Sequence, residues 1–299
     1  MSRAMPSRRA ILAMAVMSLV AGGPATAQAP DRVLSIGGDV TEIIFALDQG
    51  HRLVARDTTS TYPPQAENLP DVGYARALSP EGVLSVAPGM ILATDGAGPP
   101  ETIDVLENAD IPFVTVPQAR TGDGILRKIE IVGAALEVPE KAQALIDETR
   151  TALAAARDAT DRIAPDEAKR VLFILSLEGG RILAGGRDTQ AQGIIEMSGG
   201  VNAVTGFEGY KQMTDEAVTR AAPDVILMMD RGGDHAIADA QLFDLPAIRT
   251  TPAGRNEHVV RMQGLYLLGF GPRTAQAARD LHRALYGAAA EDGDDTDPS

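Results

Sequence analysis

The chain of 299 residues contains no cysteine and no tryptophan, and only six phenylalanines and five tyrosines. Without cysteine there is no disulfide framework, and no thiol to carry a lipid behind an export signal. So few rings leave little to any reading built on stacking. Basic residues are scarce too: 27 Lys and Arg stand against 41 Asp and Glu, a formal net charge of −14. That balance argues against nucleic acid and anionic membrane surfaces as partners. The four histidines, His51, His235, His258 and His282, never fall in pairs at metal-ligand spacing. There is no HExxH, no P-loop and no Ser-His-Asp order with a nucleophile elbow. Gly179-Gly180 and Gly185-Gly186 lack the spacing and the following acid of a dinucleotide fingerprint. No enzyme activity is therefore expected.

The apolar run from Ala10 to Ala21 is too short to span a bilayer, which needs about 20 residues. Arg3, Arg8 and Arg9 precede it, and Ala25-Thr26-Ala27 supplies small residues for cleavage near Gln28, so residues 1–27 form a secretory signal peptide. Ser7-Arg8-Arg9-Ala10-Ile11-Leu12 also resembles a twin-arginine signal, which leaves the export route open. Removing the signal leaves 24 basic and 41 acidic residues, a net charge of −17. Part of that charge sits in the tail 289–299, where Glu291 to Asp297 has nothing apolar to bury and is expected to be disordered.

What the mature chain does contain is a segment that occurs twice. GYARALSPEGVLSVAPGMILAT begins at Gly73, and GYKQMTDEAVTRAAPDVILMMD begins at Gly209. With a one-residue slip, Leu78, Glu81, Val83, Pro88 and Ile91 match Met213, Glu216, Val218, Pro223 and Ile226. Each copy reads as a Gly-Tyr loop with a basic residue, a short helix opened by a hydroxyl residue and a carboxylate, a Pro turn and an apolar strand. Two related lobes with a cleft between them are implied. Strands are expected at Arg32 to Ile36, Val54 to Arg56, Met90 to Ala93 and Phe113 to Val116. The second lobe repeats the pattern at Arg170 to Leu175, Arg181 to Ala184, Asp224 to Met228 and His258 to Met262. Helical segments between strands argue for parallel βαβ units. Pro139 to Ile163 has apolar residues on one helical face and few breakers, so it reads as a connecting rod of roughly 35 Å. The expected fold is α/β, with two lobes, each a mostly parallel sheet flanked by helices, joined by one long helix. The lobes span 28–138 and 164–288, with the connector at 139–163.

These segments carry a family resemblance. RVLSIGGDVTEIIFAL, RDTTSTYP, LPDVGYARALSPEG, LAGGRDTQAQGIIEMSGGVNAVTGF, GYKQMT, LPAIRTTPAGR and LLGFGPRT together cover nearly all of the mature chain. They resemble the periplasmic haemin-binding proteins of bacterial haem ABC importers, in the helix-linked class shared with siderophore and cobalamin binders. The resemblance implies a monomeric periplasmic protein, freely soluble, that captures ferric haem between its lobes. It would deliver the haem to an inner-membrane ABC permease, with an outer-membrane haem receptor system as an indirect partner. A ferric siderophore or cobalamin is the alternative cargo, although siderophore binders favour Arg or Trp around an anionic chelate and this chain has no Trp.

Tyr74 is the expected iron ligand. A phenolate is a hard oxygen donor for ferric haem, and Arg76, two residues on, would favour the charged form of a phenol that otherwise titrates near pH 10. On Gly-Tyr alone Tyr74 is as readily a half-buried packing residue; the repeat, the neighbouring Arg and the family's GYxR pattern favour ligation. Tyr62, before Pro63 and Pro64, is the rival ligand or a turn residue. Some relatives carry a second ligand in a Ser-His-Gly-Gly stretch, but here Ser176-Leu177-Glu178-Gly179-Gly180 lacks the histidine. Five-coordinate iron is then expected, or a weak sixth ligand from the second lobe, with His235 a residue to watch after a strand end. Arg76, Lys211 and Arg231 are the cations available to the propionates. Tyr210, Met213, Met262, Leu265 and Tyr266 are candidates to line the macrocycle, though each is equally a core or surface residue. Glu81 and Glu216 occupy the first turn of equivalent short helices, where a carboxylate caps free amides. The resemblance adds permease docking, one carboxylate per lobe.

Overall fold

A computed structural model describes residues 31–230 and 237–287. The expected signal peptide 1–27, the tail 289–299, Arg231 and His235 lie outside them. The first lobe comprises β1 (Val33–Ile36), α1 (Gly38–Ala46), β2 (Leu53–Arg56), α2 (Pro80–Ser85), β3 (Met90–Thr94), α3 (Pro100–Glu107), β4 (Phe113–Val116) and α4 (Gly122–Ala135). A connecting helix, α5 (Pro139–Thr160), leads to the second. There follow β5 (Arg170–Glu178), β6 (Arg181–Gly185), α6 (Gln190–Met197), β7 (Val201–Asn202), β8 (Tyr210–Met213), α7 (Asp215–Ala221) and β9 (Val225–Asp230). The chain ends with α8 (Asp239–Phe243), α9 (Pro246–Arg249), α10 (Pro252–Arg255), β10 (Val259–Gln263), α11 (Gly264–Leu268) and α12 (Thr274–Tyr286).

The first sheet is parallel throughout, in the order β2-β1-β3-β4. The second is ordered β10-β9-β5-β6-β8 and is mixed: β9 pairs parallel with β10 and β5, while β5, β6 and β8 are antiparallel neighbours. The repeat of parallel units therefore breaks at one turn. Only Gly179 and Gly180 separate β5 from β6, with φ of 60° and 79°. Two consecutive left-handed residues belong to a tight hairpin turn, which reverses the chain and leaves no room for a crossover helix.

The repeated segments fold alike. Ser79 and Thr214 cap α2 and α7 through the amides of Gly82 and Ala217, and Val83 and Val218 are fully buried beneath them. Both helices stop at an alanine with positive φ, Ala87 and Ala222, directly before the matching prolines. An arginine at the entry of each lobe's first strand then satisfies the free carbonyls. Arg32 donates to Val86 and Ala87, and Arg170 donates twice to Ala221. A cation at a helix C-terminus is favoured by the helix dipole as well as by the hydrogen bonds.

The inner faces of the two lobes merge into one apolar cluster. Leu92, Ile125 and Ile146 belong to the same packed group as Phe173, Ile194 and Leu281. Separate clusters around Ile91 and around Ile226 close the outer faces. The 22-residue α5 runs along α4 on one side and α12 on the other. Lobes that share a core and a rod move little against each other.

Two buried charged groups of the first lobe, Lys128 and Glu42, pin the lobes beneath the cleft. The Lys128 side chain, 1% exposed, sits on the apolar stripe of α4 with its ammonium against the Asp39 carboxylate of α1. It also donates to the carbonyls of Gly269 and Phe270, at 3.1 and 2.9 Å, where α11 ends. One turn along α1, buried Glu42 accepts from the Arg273 amide at 3.1 Å and its guanidinium at 2.7 Å. The backbones approach closely enough that a Cβ on Gly38 would stand 2.7 Å from Leu265 of the other lobe. Breaking a buried pair by removing one partner costs about 3–5 kcal/mol, because the other charge stays buried. Urea unfolding of Lys128→Ala should show a loss of about that size, whereas Lys141→Ala, which breaks the exposed pair with Asp48, should leave the midpoint nearly unchanged. Similar midpoints for the two variants would refute the pin.

Candidate functional site

A cleft of ≈ 540 Å³ opens between the lobes above these pins. Its walls come from residues at or just past the carboxyl ends of strands: Gly37 and Gly38 after β1, Thr59 and Thr61 after β2, Thr94 of β3, Gln118 and Ala119 after β4. The second lobe gives Leu175 of β5, Met229 of β9, Gln263 of β10, and Leu265 and Leu268 of α11. Ligands in open α/β sheets bind at such ends. Tyr74, Arg76 and Tyr210 also face this space.

Two staples shape the first-lobe wall. The fully buried Asp57 carboxylate accepts from the amides of Gly37 and Thr59, both at 2.9 Å, and from the hydroxyls of Thr59 and Ser60, both at 2.7 Å. Ser60 continues the network to Thr41 and Ser35. The Asp-Thr-Thr-Ser run thus fixes its own loop. Asp71 holds the next one, accepting from Arg56 at 2.8 Å, Thr58 at 3.1 Å and the Gly73 amide at 2.8 Å. Tyr74 follows at once, on a backbone tied down by Ala77 N to Tyr74 O and Gly98 N to Ala75 O. Its ring is 48% exposed, high for a tyrosine, and among the described residues its hydroxyl has no hydrogen-bond partner. Arg76 is also exposed and has neither hydrogen bond nor ion pair there.

Tyr62 has a different setting. It is not among the residues lining the cleft, and its ring carries the Arg273 guanidinium 3.3 Å from its centroid. That contact joins the Tyr62 loop to the second lobe, on the same arginine that binds Glu42. Tyr266 lies 5.1 Å from Arg273 and donates its hydroxyl to Asp280, so it too is turned to the interface.

Tyr210 opens β8, opposite Gly185 on β6. It is half-buried, edge-on to Phe173 at 6.3 Å. Burial pushes its phenol above the ordinary value, while the Ala191 amide, Arg76 across the cleft and the Thr189 hydroxyl partly offset this. Strand alternation decides its neighbours: side chains at 211 and 213 point away from the face that Tyr210 occupies. Lys211 accordingly lies 5.8 Å from the Phe207 ring, and Met213 packs against the outer core of the second lobe. Met262 packs against the shared core without lining the cleft. Glu81 and Glu216 are exposed in the first turns of α2 and α7, away from the cleft. Glu216 is held below the usual carboxylate range by its own amide and by the Thr214 hydroxyl. It caps its helix.

Several lining residues escaped the sequence reading. Gln118 and Gln190 are bonded to each other at 2.8 Å across the lobes; Gln190 lies in the LAGGRDTQAQGIIEMSGG stretch but was given no role there. Met229 stands at a strand end and was legible on that ground. Lys128 had the plainest signal, since it falls among Ile125, Ile129 and Val132 on a stripe that should be apolar. Among the described residues no group of three or more His, Cys, Asp or Glu is placed to hold a metal ion, and no helix is long and apolar enough to cross a membrane. A free phenol, an uncommitted guanidinium and the apolar side chains of the second-lobe wall suit a large, partly apolar ligand bearing an acceptor for an oxygen donor.

The model of the family described as periplasmic binding protein matches residues 33–264. The structure is similar to that of a periplasmic heme-binding protein, BhuT, in complex with two hemes, at 40% identity and a TM-score of 0.81, covering 87% of this chain and 99% of that one. It is equally similar to the periplasmic heme-binding protein RhuT of Roseiflexus sp. RS-1 in apo form, at 37% identity, TM-score 0.81, and 87% and 99% coverage. By sequence, the vitamin B12-binding protein of Vibrio cholerae is 27% identical over 84% of this chain and 87% of its own length.

Proposed function

The chain belongs to the periplasmic binding protein family, and on that premise we propose that it captures ferric haem in the cleft and passes it to an inner-membrane ABC permease. The observation that carries this is the Tyr74 loop: an exposed phenol without a partner among the described residues, two residues from a guanidinium likewise unpaired there, stapled at the mouth of a cleft whose second-lobe wall presents Leu175, Met229, Leu265 and Leu268. A phenolate is an established type of proximal ligand for haem iron. Leu175, Met229, Leu265 and Leu268 offer the macrocycle a surface that water does not compete for. The 40% and 37% identical structures, both named heme-binding, support the same cargo.

Tyr74 is the iron ligand in this reading, and Tyr62 is an interface residue stacked on Arg273. Arg76 is the cation at the site; Lys211, whose side chain faces away from Tyr210, is not part of it. The protein acts after export, as a freely soluble monomer without a lipid-bearing cysteine. Cobalamin is the second reading, favoured by the 27% identical vitamin B12-binding relative. It leaves the Tyr74 and Arg76 pair without a task.

Titration of the mature protein with ferric haem should give a saturable complex with the absorption of tyrosinate-ligated high-spin iron. Tyr74→Ala should weaken binding and move the charge-transfer band. Tyr62→Ala should keep the spectrum and instead lower stability by about 0.5–1 kcal/mol through the lost cation–π contact. The opposite assignment of effects would move the ligand to Tyr62, and saturable uptake of cobalamin without haem would replace the cargo. Glu81 and Glu216, at equivalent exposed positions on the two lobes, dock onto the permease. Replacing both with Ala should leave haem affinity unchanged while lowering permease-stimulated ATP hydrolysis; undiminished stimulation would reduce both to helix caps.

A further inference from the structure

Among the described residues, three side chains with polar groups face the cleft from the second lobe: Gln190, Tyr210 and Gln263. Two are committed. Gln190 Nε2 donates to Gln118 Oε1 at 2.8 Å. Gln263 Nε2 donates to Thr61 Oγ1 at 3.3 Å, and its Oε1 accepts from the Tyr266 amide at 2.6 Å. Tyr210 differs. The Ala191 amide at the start of α6 is placed to donate to its oxygen, and the Thr189 hydroxyl gives its own proton to the Gly186 carbonyl at 2.8 Å, so the phenol's proton is left for the cleft. We propose that Tyr210 donates a hydrogen bond to the sixth ligand of the bound iron, a water or small anion on the face opposite Tyr74. The second lobe then contributes a donor in place of a metal ligand. This rests on the haem reading, with Tyr74 on the first-lobe face.

The geometry favours such a donor. Pairing with Gly185 and the edge contact with Phe173 hold the ring before any ligand arrives. Leu175 and Met229 line the cleft on the same lobe, and a hydrogen bond in an apolar setting is stronger than one in water. Burial keeps the phenol protonated at working pH, since its ionisation is pushed above the ordinary value near 10. Tyr210 thus complements Tyr74: one is exposed and free to bind iron as an anion, the other is enclosed and stays neutral.

The test is fluoride binding to the haem-loaded protein, because ferric-bound fluoride is a strong acceptor. Tyr210→Phe keeps the ring against Phe173 and removes only the hydroxyl. Its fluoride affinity should fall about tenfold or more, the usual effect of losing a hydrogen bond to a charged group, while the variant still takes up ferric haem saturably. Equal fluoride affinity in the two proteins overturns the proposal. A second reading needs no variant: in the parent complex the iron–fluoride stretch should shift between light and heavy water, and an unshifted stretch overturns the proposal as well. A parent protein that takes up no haem is a different result, which overturns the function itself.

Discussion

The rest of the structure depends on an ammonium group buried where the lobes meet. Lys128 is enclosed among apolar residues of α4, and a charge there is tolerable only because three acceptors surround it: the Asp39 carboxylate and the carbonyls of Gly269 and Phe270. Two of those acceptors are backbone atoms of the other lobe. The lobes cannot part at this point without leaving the ammonium and two helix-end carbonyls unsatisfied. Glu42 and Arg273 repeat the arrangement one turn along α1, and Tyr62 covers Arg273 from outside. With a shared apolar core behind these contacts, the cleft is preformed. A ligand enters a cavity that already has its shape, and little of the binding energy goes into closing it.

The two similar segments each carry a tyrosine after glycine, and the local folds separate their chemistry. After Gly73 the chain stays a loop held by Asp71, so Tyr74 projects into solvent. After Gly209 the chain pairs as a strand with β6, so Tyr210 is drawn against Phe173 and the first turn of α6. The hairpin at Gly179 and Gly180 supplies β6, and with it the edge on which β8 pairs. The same turn occupies the stretch where some relatives carry a histidine ligand. A second-lobe donor acting through a hydrogen bond answers that missing histidine.

Much of this was legible beforehand, and for definite reasons. Apolar runs placed eight of the strands within a residue or so, except that β5 extends to Glu178 and β9 to Asp230, whereas β7 and β8 were not expected and Tyr210 was read as part of a loop. Pro139 and the apolar face of the connector placed α5, which stops at Thr160 rather than Ile163. Matching hydroxyl, Glu, Val and Pro positions foretold two helices capped alike. The antiparallel hairpin was missed, although Gly-Gly between two apolar runs is a turn signal. Lys211 was a candidate for the propionates and Met213 for the macrocycle, yet alternation along β8 turns both away from the face of Tyr210. The pins went unread because they join residues far apart in the chain: Lys128 to Gly269 and Phe270 spans more than 140 positions and Glu42 to Arg273 spans 231. A charge on an apolar stripe marks such a residue without naming its partner.

A crystal structure of the ferric haem complex would test the account most directly. The account predicts iron bonded to the Tyr74 hydroxyl oxygen, with Lys128 still held by Asp39 and by the carbonyls of Gly269 and Phe270. Iron held by Tyr62, or lobes drawn apart at Lys128 to admit the ligand, would contradict it.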